Sequence, residues 1–234
     1  MNKAILKLFV LLCVCAFVGC DDSTSSSPEP VDFATLCPAS ARGTFIDERD
    51  SNEYAYTTIG DQVWMAENLK YNLKHSVCYD SLSANCDTYG RFYVFESLEF
   101  NLLGRITEME FFWDSVYTLC PRGWRVAKAD DFKHLREQVQ ADAKSLISTS
   151  DGGNDLCGFN LKLAGKYGYK DGERQFYGKG RLASLWTQTR SDVDAAYTPT
   201  IDDREEIPDL YADYGNILSS SWVNYMGNIR CVKE

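Results

Sequence analysis

Hydrophobic residues follow several patterns along this chain, and each pattern predicts a different element. The first is an unbroken apolar run of eleven residues from Leu8 to Val18. A helix that crosses a bilayer needs about 20 apolar residues, so this run is too short to span a membrane. Because Lys3 and Lys7 precede it, the run predicts a cleaved signal peptide.

Alternating positions between residues 44 and 68 predict strands. Two sets of residues alternate over 54–59, namely Tyr54, Tyr56 and Thr58 with Ala55, Thr57 and Ile59. Turn-forming pairs stand at Ser51-Asn52 and Gly60-Asp61. This combination predicts two or three short strands joined in a meander.

Helical spacing predicts one long helix over residues 130–147. Its expected buried face consists of Phe132, Leu135, Val139, Ala143 and Leu146. Asp130 and Asp131 lie in the first turn, where the helix dipole favours negative charge. His134 neighbours the apolar face, so we expect it to be packed or at the rim of the core rather than to act as a catalytic base.

The pattern returns to short strands after residue 158. Phe159, Leu161 and Leu163 alternate, and further strands are predicted at Leu182 to Thr189 and at Asn228 to Lys233. The glycines from Gly178 to Gly180 imitate a dinucleotide-binding loop, but a turn-rich stretch precedes them, so we expect a hairpin turn. The predicted class is α+β, with short antiparallel strands, one main helix and irregular loops.

Charge narrows the range of partners. The chain has 24 Lys and Arg against 34 Asp and Glu, which gives a formal net charge of −10. Nucleic acids and anionic membrane surfaces are bound through clustered cations. The composition therefore argues against both as partners.

Cys20 ends the sequence Phe17-Val18-Gly19-Cys20 directly after the apolar run. This pattern is typical of a bacterial lipoprotein processing site, and Phe17 disfavours ordinary signal peptidase cleavage, which would give a secreted soluble protein. We expect Cys20 to carry acyl chains such as palmitate, which hold the protein on a membrane of the cell envelope, facing the periplasm or the exterior. The expected organisation is a signal peptide at 1–19, a flexible polar linker at 20–36 and one domain at 37–234.

Six cysteines remain in the domain after processing, and export favours disulfides over thiolate metal sites. Sequence alone leaves 15 possible pairings. Cys78 and Cys86 bracket a short turn-rich loop and are expected to pair with each other. A metal site is disfavoured because the chain has no C-x-x-C motif and only two histidines.

Several segments together resemble one known family. They are TIGDQVWMAENLKY (58–71), CYD with YGRFYVF (78–95), CPRGWRVAKADDFKHL (120–135), GFNLKLAG (158–165), FYGKGRLASLWTQT (176–189) and IRCVKE (229–234). From about Gly43 to the C-terminus, the chain resembles the Fibrobacter succinogenes major paralogous domain.

The resemblance implies an exported, often lipid-anchored domain with a fold similar to C-type lectins and formylglycine-generating enzymes, and with no established catalytic activity. It also implies a closing disulfide between Cys120 and Cys231, which leaves Cys37 and Cys157 for each other. Three tryptophans are expected in the core: Trp64, Trp124 and Trp186.

The function expected from these observations is non-catalytic binding or adhesion to polysaccharide or another envelope component. Candidate contact residues are the aromatics of the last third, Tyr197, Tyr211, Tyr214, Trp222 and Tyr225. The alternatives are an enzyme of the formylglycine-generating type, which would need a reactive copper-binding cysteine pair, and a purely structural envelope protein.

An acidic run between residues 202 and 213 raises the question of calcium. Asp202, Asp203 and Asp209 could supply the carboxylate oxygens that Ca²⁺ prefers. Their spacing matches no defined calcium motif, so the alternative is a solvated charged loop. No other cofactor is expected.

Acylation at Cys20 is directly testable. We expect intact-mass analysis of membrane fractions to show a mature N-terminal Cys20 carrying the mass of its acyl chains. Cys20→Ala should release or mislocalise the chain, because the anchor is lost. A wild-type protein that is soluble and unmodified would contradict the prediction.

Overall fold

The structure is a computed structural model that describes residues 29–94, 96–100, 106–111, 118–192, 195–196, 198–202 and 226–234. Residues Val31–Glu234 form one compact unit. Within the described residues, no helix is both long and apolar enough to cross a membrane. Residues 20–36 are expected to be a linker, but Phe33 and Leu36 pack against the core, so the compact domain begins before Cys37.

Short strands dominate the described residues, with few helices. The helices are α1 (Phe33–Leu36), α2 (Ala84–Tyr89) and α3 (Ala129–Gln138), and 3-10 turns occur at Ala39–Ala41, Tyr79–Ser81, Ala143–Ser145 and Thr149–Asp151. This mixed composition of strands, few helices and disulfides confirms the predicted class at that level.

The strands are numbered in chain order. They are β1 (Arg42–Ile46), β2 (Glu53–Ile59), β3 (Gln62–Met65), β4 (Tyr93–Val94), β5 (Glu96–Phe100), β6 (Ile106–Phe111), β7 (Trp124–Val126), β8 (Lys166–Lys170), β9 (Glu173–Tyr177), β10 (Leu182–Trp186), β11 (Arg190–Asp192), β12 (Ala195–Ala196), β13 (Thr200–Asp202), β14 (Met226–Ile229) and β15 (Cys231–Lys233).

The first sheet has the order β1-β2-β3-β15-β7. Its first three strands are the predicted meander, with Arg42 opposite Thr57 and Tyr56 opposite Met65. The C-terminal strand β15 lies between β3 and β7 and runs antiparallel to both.

The second sheet has the order β13-β10-β14-β8-β9, and β4 also pairs with β14. Strand β14 is parallel to β10 and antiparallel to β8. Two further two-stranded ladders join β5 to β6 and β11 to β12. Since β14 and β15 are separated by Arg230 alone, the end of the chain supplies an internal strand to both sheets.

The predicted core tryptophans are all buried. Trp64 contacts Phe132 of α3 and Phe159 in a cluster that also includes Leu185 and Val232. Trp124 and Trp186 belong to a second cluster, in which the Trp186 Nε1–H donates to the Tyr93 carbonyl at 2.8 Å. The two clusters form the main core.

The helix ends earlier than its apolar spacing predicts. Helix α3 stops at Gln138, because Gln140 and Ala141 adopt positive φ angles of 49° and 62°. The Asp142 carboxylate then accepts the Lys144 N–H and starts a separate 3-10 turn. The predicted buried face nevertheless stays buried in full, because the turn brings Ala143 and Leu146 back onto the core.

The alternating residues 159–163 do not form the predicted strand. Phe159, Leu161 and Leu163 are fully buried, but only Leu161 makes a bridge, to Ile147. Alternation here reflects burial of an irregular segment whose Asn160 has a φ of 50°. The alternating pattern therefore predicts correctly that these side chains are buried, but it does not distinguish a strand from an irregular segment.

Three disulfides join the six cysteines of the domain. They are Cys37–Cys157, Cys78–Cys86 and Cys120–Cys231. The two long closures span sequence separations of 120 and 111 residues. In the chain-entropy model, closures of this length each stabilise the fold by roughly 4.7 kcal/mol.

Arg230 is the largest polar side chain in the core and is 0 % exposed. Its Nη1 donates to the carbonyls of Met65 and Phe159 at 2.9 and 2.7 Å, and its Nη2 donates to the Asn160 carbonyl at 3.1 Å. Its Nε donates to Asn68 Oδ1 at 2.7 Å. Burial lowers the pKa of the guanidinium to about 9, so it is still charged at neutral pH. A buried charge is tolerated only when it is hydrogen-bonded in this way.

Replacing this guanidinium should destabilise the whole domain. Arg230→Met removes the guanidinium donor from two buried carbonyls, from the partly buried Asn160 carbonyl and from Asn68 Oδ1, so we expect the free energy of unfolding to fall by about 3–5 kcal/mol. Arg230→Lys keeps the charge but loses the planar fork, so it should recover only part of this loss. Urea denaturation measures both, with exposed Arg122→Met as the control. An Arg230→Met protein within 1 kcal/mol of wild type would refute the role.

Asp131 connects the first turn of α3 to the first sheet. Its carboxylate accepts two hydrogen bonds from Arg125, one from the Lys128 N–H at 2.6 Å and one from Gln62 Nε2 at 2.9 Å. Burial raises the pKa of Asp131, but the hydrogen bonds from Arg125 and Lys128 outweigh it, and the net pKa is lowered.

Because the folded-state pKa of Asp131 is lowered, its contribution to the free energy of unfolding should depend on pH. The stabilisation is complete above the unfolded pKa of about 3.9 and is lost as the pH falls through the lower folded pKa. Asp131→Asn should therefore lower the free energy of unfolding by roughly 1.5–3 kcal/mol at pH 7, and the difference from wild type should shrink as the pH approaches 2. Exposed Asp130→Asn, in the same helical turn, is the control for the helix dipole. A difference that stays constant with pH would show that the carboxylate charge is not responsible.

Candidate functional site

Strands β8 and β9 form a hairpin with two chemically different faces. Lys166 stands opposite Tyr177, and Lys170 stands opposite Glu173. Because side chains alternate across a strand, these four residues share one face, while Tyr167 and Phe176 lie on the other.

The second face fixes the hairpin to the domain. The Phe176 ring lies 4.8 Å from the Tyr79 ring, 5.4 Å from Phe92 and 4.9 Å from Tyr167, measured between ring centroids. Tyr79 and Phe92 are buried in a small core cluster. The hairpin is therefore held by aromatic packing as well as by its own ladder.

The first face presents Tyr177 between two cations. Lys166 Nζ lies 5.5 Å and Lys170 Nζ 5.8 Å from the centroid of the Tyr177 ring. Both distances are within the range of a cation–π interaction. Gly168 stands between the two lysines along β8 and contributes no side chain, and Tyr177 itself is partly exposed.

The turn after β9 carries two further cations, Lys179 and Arg181. Gly178 and Gly180 have φ angles of 79° and 73°, which glycine adopts without strain. A Cβ on Gly178 would also approach the Leu182 side chain to 2.8 Å. This is the turn expected to close a hairpin, but β14 and β8 lie between β9 and β10 in the sheet, so it connects strands that are not paired.

Lys179 lies over two tyrosine rings. Its Nζ is 4.6 Å from the Tyr89 centroid and 5.2 Å from the Tyr79 centroid. Tyr89 ends α2, and Tyr79 follows Cys78, so the Cys78–Cys86 disulfide holds the segment that carries both rings. The short disulfide thereby positions a surface feature rather than only closing a loop.

These residues surround an open groove of about 450 Å³. Its lining consists of Lys170, Tyr177, Gly178, Lys179, Arg181, Leu182 and Asp202. We call this the hairpin groove. Residues 166–182 contain five Lys and Arg against two acidic residues, a local charge of +3 in a chain of net charge −10.

Asp202 is one of the residues proposed for ligand or calcium binding, and it lies in β13 on the wall of the groove. The other proposed residues, Asp203, Asp209, Tyr197, Tyr211, Tyr214, Trp222 and Tyr225, lie outside the described residues, as does Cys20. Asp202 ends β13 at one edge of the second sheet. Met226 begins β14 and stands opposite Tyr167 of β8.

The described residues contain no group of three or more His, Cys, Asp or Glu side chains arranged to hold a metal ion. His134 Nε2 lies 2.7 Å from Asp61 Oδ1 at the rim of the core, which agrees with its predicted packed or rim position. The Asp61 carboxylate accepts this hydrogen bond, and the bond lowers the pKa of Asp61.

Comparison with protein families identifies the chain. The profile of the Fibrobacter succinogenes major domain matches residues 57–233. The chain belongs to this family. Comparisons with curated proteins and with solved structures gave no match. The matched Fibrobacter succinogenes major domain covers the hairpin groove, Arg230, α3 and most of both sheets.

The sequence patterns did not predict the hairpin groove. The sequence between Gly165 and Gly180 is typical of glycine-rich turns, and this pattern gives no indication that Lys170, Tyr177 and Lys179 lie together. The local reversal of charge within residues 166–182 was the signal that could have located it. Arg230 was missed as well, although a lone arginine between Ile229 and Cys231 in an apolar strand is itself a signal of a buried hydrogen-bonding role.

Proposed function

We propose that this chain is a lipid-anchored, non-catalytic surface domain that binds polysaccharide or another envelope component. The observation that carries the proposal is the hairpin groove, which combines an aromatic ring, a carboxylate and several cations on the outside of a disulfide-stapled domain. Sugar-binding surfaces use this combination, because a ring covers the apolar face of a sugar and charged groups bind its polar substituents.

The cysteine chemistry favours binding over the enzyme alternative. A formylglycine-generating mechanism would need a reactive cysteine pair, and all six cysteines of the domain are joined in disulfides. A disulfide sulfur is not a thiolate nucleophile or a copper ligand. This supports a non-catalytic function, and it leaves a purely structural envelope protein as the other alternative.

We also propose a C-type-lectin-like fold for the domain. In support, C-terminal strand β15 lies in the same sheet as the N-terminal meander, next to β3. Helix α3 packs beside them through the contact of Phe132 with Trp64. The disulfide between Cys120 and Cys231 closes this arrangement in the way that the resemblance implies.

The calcium hypothesis is retained as a secondary proposal. Asp202 is placed in β13, from which the acidic run continues to Asp203 and Asp209. If these carboxylates bind Ca²⁺, chelation should lower the melting temperature of the wild type, and the ion would belong to the polysaccharide-binding face.

The binding proposal predicts retention of the protein on polysaccharide. We expect full-length acylated protein in detergent micelles to be retained on insoluble polysaccharide or on a cell-envelope fraction. Tyr211→Ala, Tyr214→Ala or Trp222→Ala should each weaken this retention by roughly 1–3 kcal/mol if these aromatics extend the binding surface as the sequence predicts. Pull-down titrations measure the loss, and Ile46→Ala, which changes an exposed residue of β1, is the control.

Thermal melts of the same variants separate binding from structure. Contact residues should leave the melting temperature close to that of the wild type. Losses of about 3–5 kcal/mol in the free energy of unfolding would instead place these residues in the core. No retention on any polysaccharide or envelope fraction would contradict the proposed function and leave the structural-protein alternative.

A further inference from the structure

We propose that the hairpin groove binds an acidic polysaccharide, in which the sugar units carry carboxylate groups. This rests on the proposed function and specifies both its site and its class of ligand. Four features of the groove carry the inference: its local charge, the aromatic ring of Tyr177, the carboxylate of Asp202 and its volume.

The charge of the groove is opposite to that of the chain. Lys170, Lys179 and Arg181 line the groove and are exposed, whereas the chain as a whole carries −10. The opposing charges on the same hairpin are Asp171 and Glu173 at its tip, and Asp202 lies on the groove wall. At physiological ionic strength charges are screened beyond roughly 8 Å, so a ligand inside the groove experiences mainly the nearby cations.

The cations are positioned by the fold and are not scattered along a flexible surface. Lys170 lies against the Tyr177 ring, and Lys179 lies against Tyr89 and Tyr79. Those rings are in turn held by the β8–β9 ladder and by the segment that the Cys78–Cys86 disulfide closes. Positioned cations lose less side-chain entropy when they bind a carboxylate than freely rotating ones do.

Tyr177 and Asp202 favour a sugar over other polyanions as the ligand. Tyr177 offers a ring against which the C–H face of a sugar can stack. The Asp202 carboxylate can accept hydrogen bonds from hydroxyl groups, which a sugar has and an acidic polypeptide side chain lacks. A carboxylate-bearing sugar satisfies the cations, the ring and the acceptor together.

The shape and the net charge disfavour larger polyanions. A bilayer surface or a nucleic-acid duplex is too large to enter the groove, and the net charge of −10 on the chain would repel it. A single polysaccharide chain can instead enter a groove of about 450 Å³ and contact the residues that line it. We therefore commit to a carboxylate-bearing polysaccharide as the occupant.

The test measures binding of full-length acylated protein in detergent to polygalacturonate, by calorimetry. Dextran supplies neutral sugar, and polyglutamate supplies carboxylates without sugar. The variant Lys179→Gln/Arg181→Gln removes two cations of the groove. The control Lys133→Gln/Lys233→Gln removes two exposed cations elsewhere and has the same net charge. Arg181→Gln alone leaves the lysine–tyrosine contacts intact, and Tyr177→Leu removes the ring without changing the charge.

We expect the wild type to bind polygalacturonate more tightly than dextran or polyglutamate by at least tenfold. Lys179→Gln/Arg181→Gln should weaken binding by tenfold or more, and Arg181→Gln and Tyr177→Leu by several-fold, while the control changes it by less than twofold. Raising the salt concentration from 50 to 300 mM should also weaken binding. Melting temperatures close to that of the wild type would show that each variant is folded.

Other outcomes overturn the inference in distinguishable ways. Equal binding of polyglutamate would reduce the groove to a non-specific anion surface. Equal losses in the groove variant and in the control would show that net charge alone is responsible. Retention on neutral polysaccharide that is insensitive to Lys179→Gln/Arg181→Gln would overturn the inference but leave the proposed function standing. Failure to bind any polysaccharide or envelope fraction would overturn both.

Discussion

The buried guanidinium of Arg230 is the interaction on which the rest of the described structure depends. It separates β14 from β15, and it donates to the carbonyl of Met65 at the end of β3 and to the carbonyl of Phe159. Each hydrogen bond contributes only about 1.5–3 kcal/mol, but leaving the same charge buried without them would cost more than the domain could tolerate. The charge is therefore satisfied only when β14 lies within the second sheet and β15 lies within the first.

The C-terminal segment consequently organises both the core and the proposed binding surface. Its residue Val232 packs in one cluster and Ile229 in the other, while Cys231 closes the long disulfide with Cys120. On the second sheet, Met226 stands opposite Tyr167 of the β8–β9 hairpin. A surface groove can keep a fixed arrangement of cations because the hairpin that carries it is attached to this internal strand. The proposed function depends on side chains that the core does not need, so family membership alone does not specify a ligand.

The sequence predicts those features of the fold that depend on local patterns of residues. It located the meander, the buried face of α3 and the three core tryptophans, because alternation and helical spacing report burial directly. It placed the end of the helix at 147 rather than at Gln138, since positive φ angles at Gln140 and Ala141 carry no compositional signal there. It read a strand at Phe159 to Leu163, because alternation cannot distinguish a strand from an irregular buried segment. The groove could not be predicted from the sequence, because Lys170 and Arg181 are brought to Asp202 only by the pairing of non-consecutive strands.

Hydrogen–deuterium exchange of the full-length protein, with and without polygalacturonate, tests the account most directly. Exchange reports local opening, so a ligand slows it where contacts form. The account predicts slower exchange at residues 166–182 in the presence of the polysaccharide. It also predicts slow exchange at residues 227–232 in both states, because Arg230 already fixes that segment. Protection confined to another surface, or rapid exchange of the C-terminal strands in the folded protein, would contradict it.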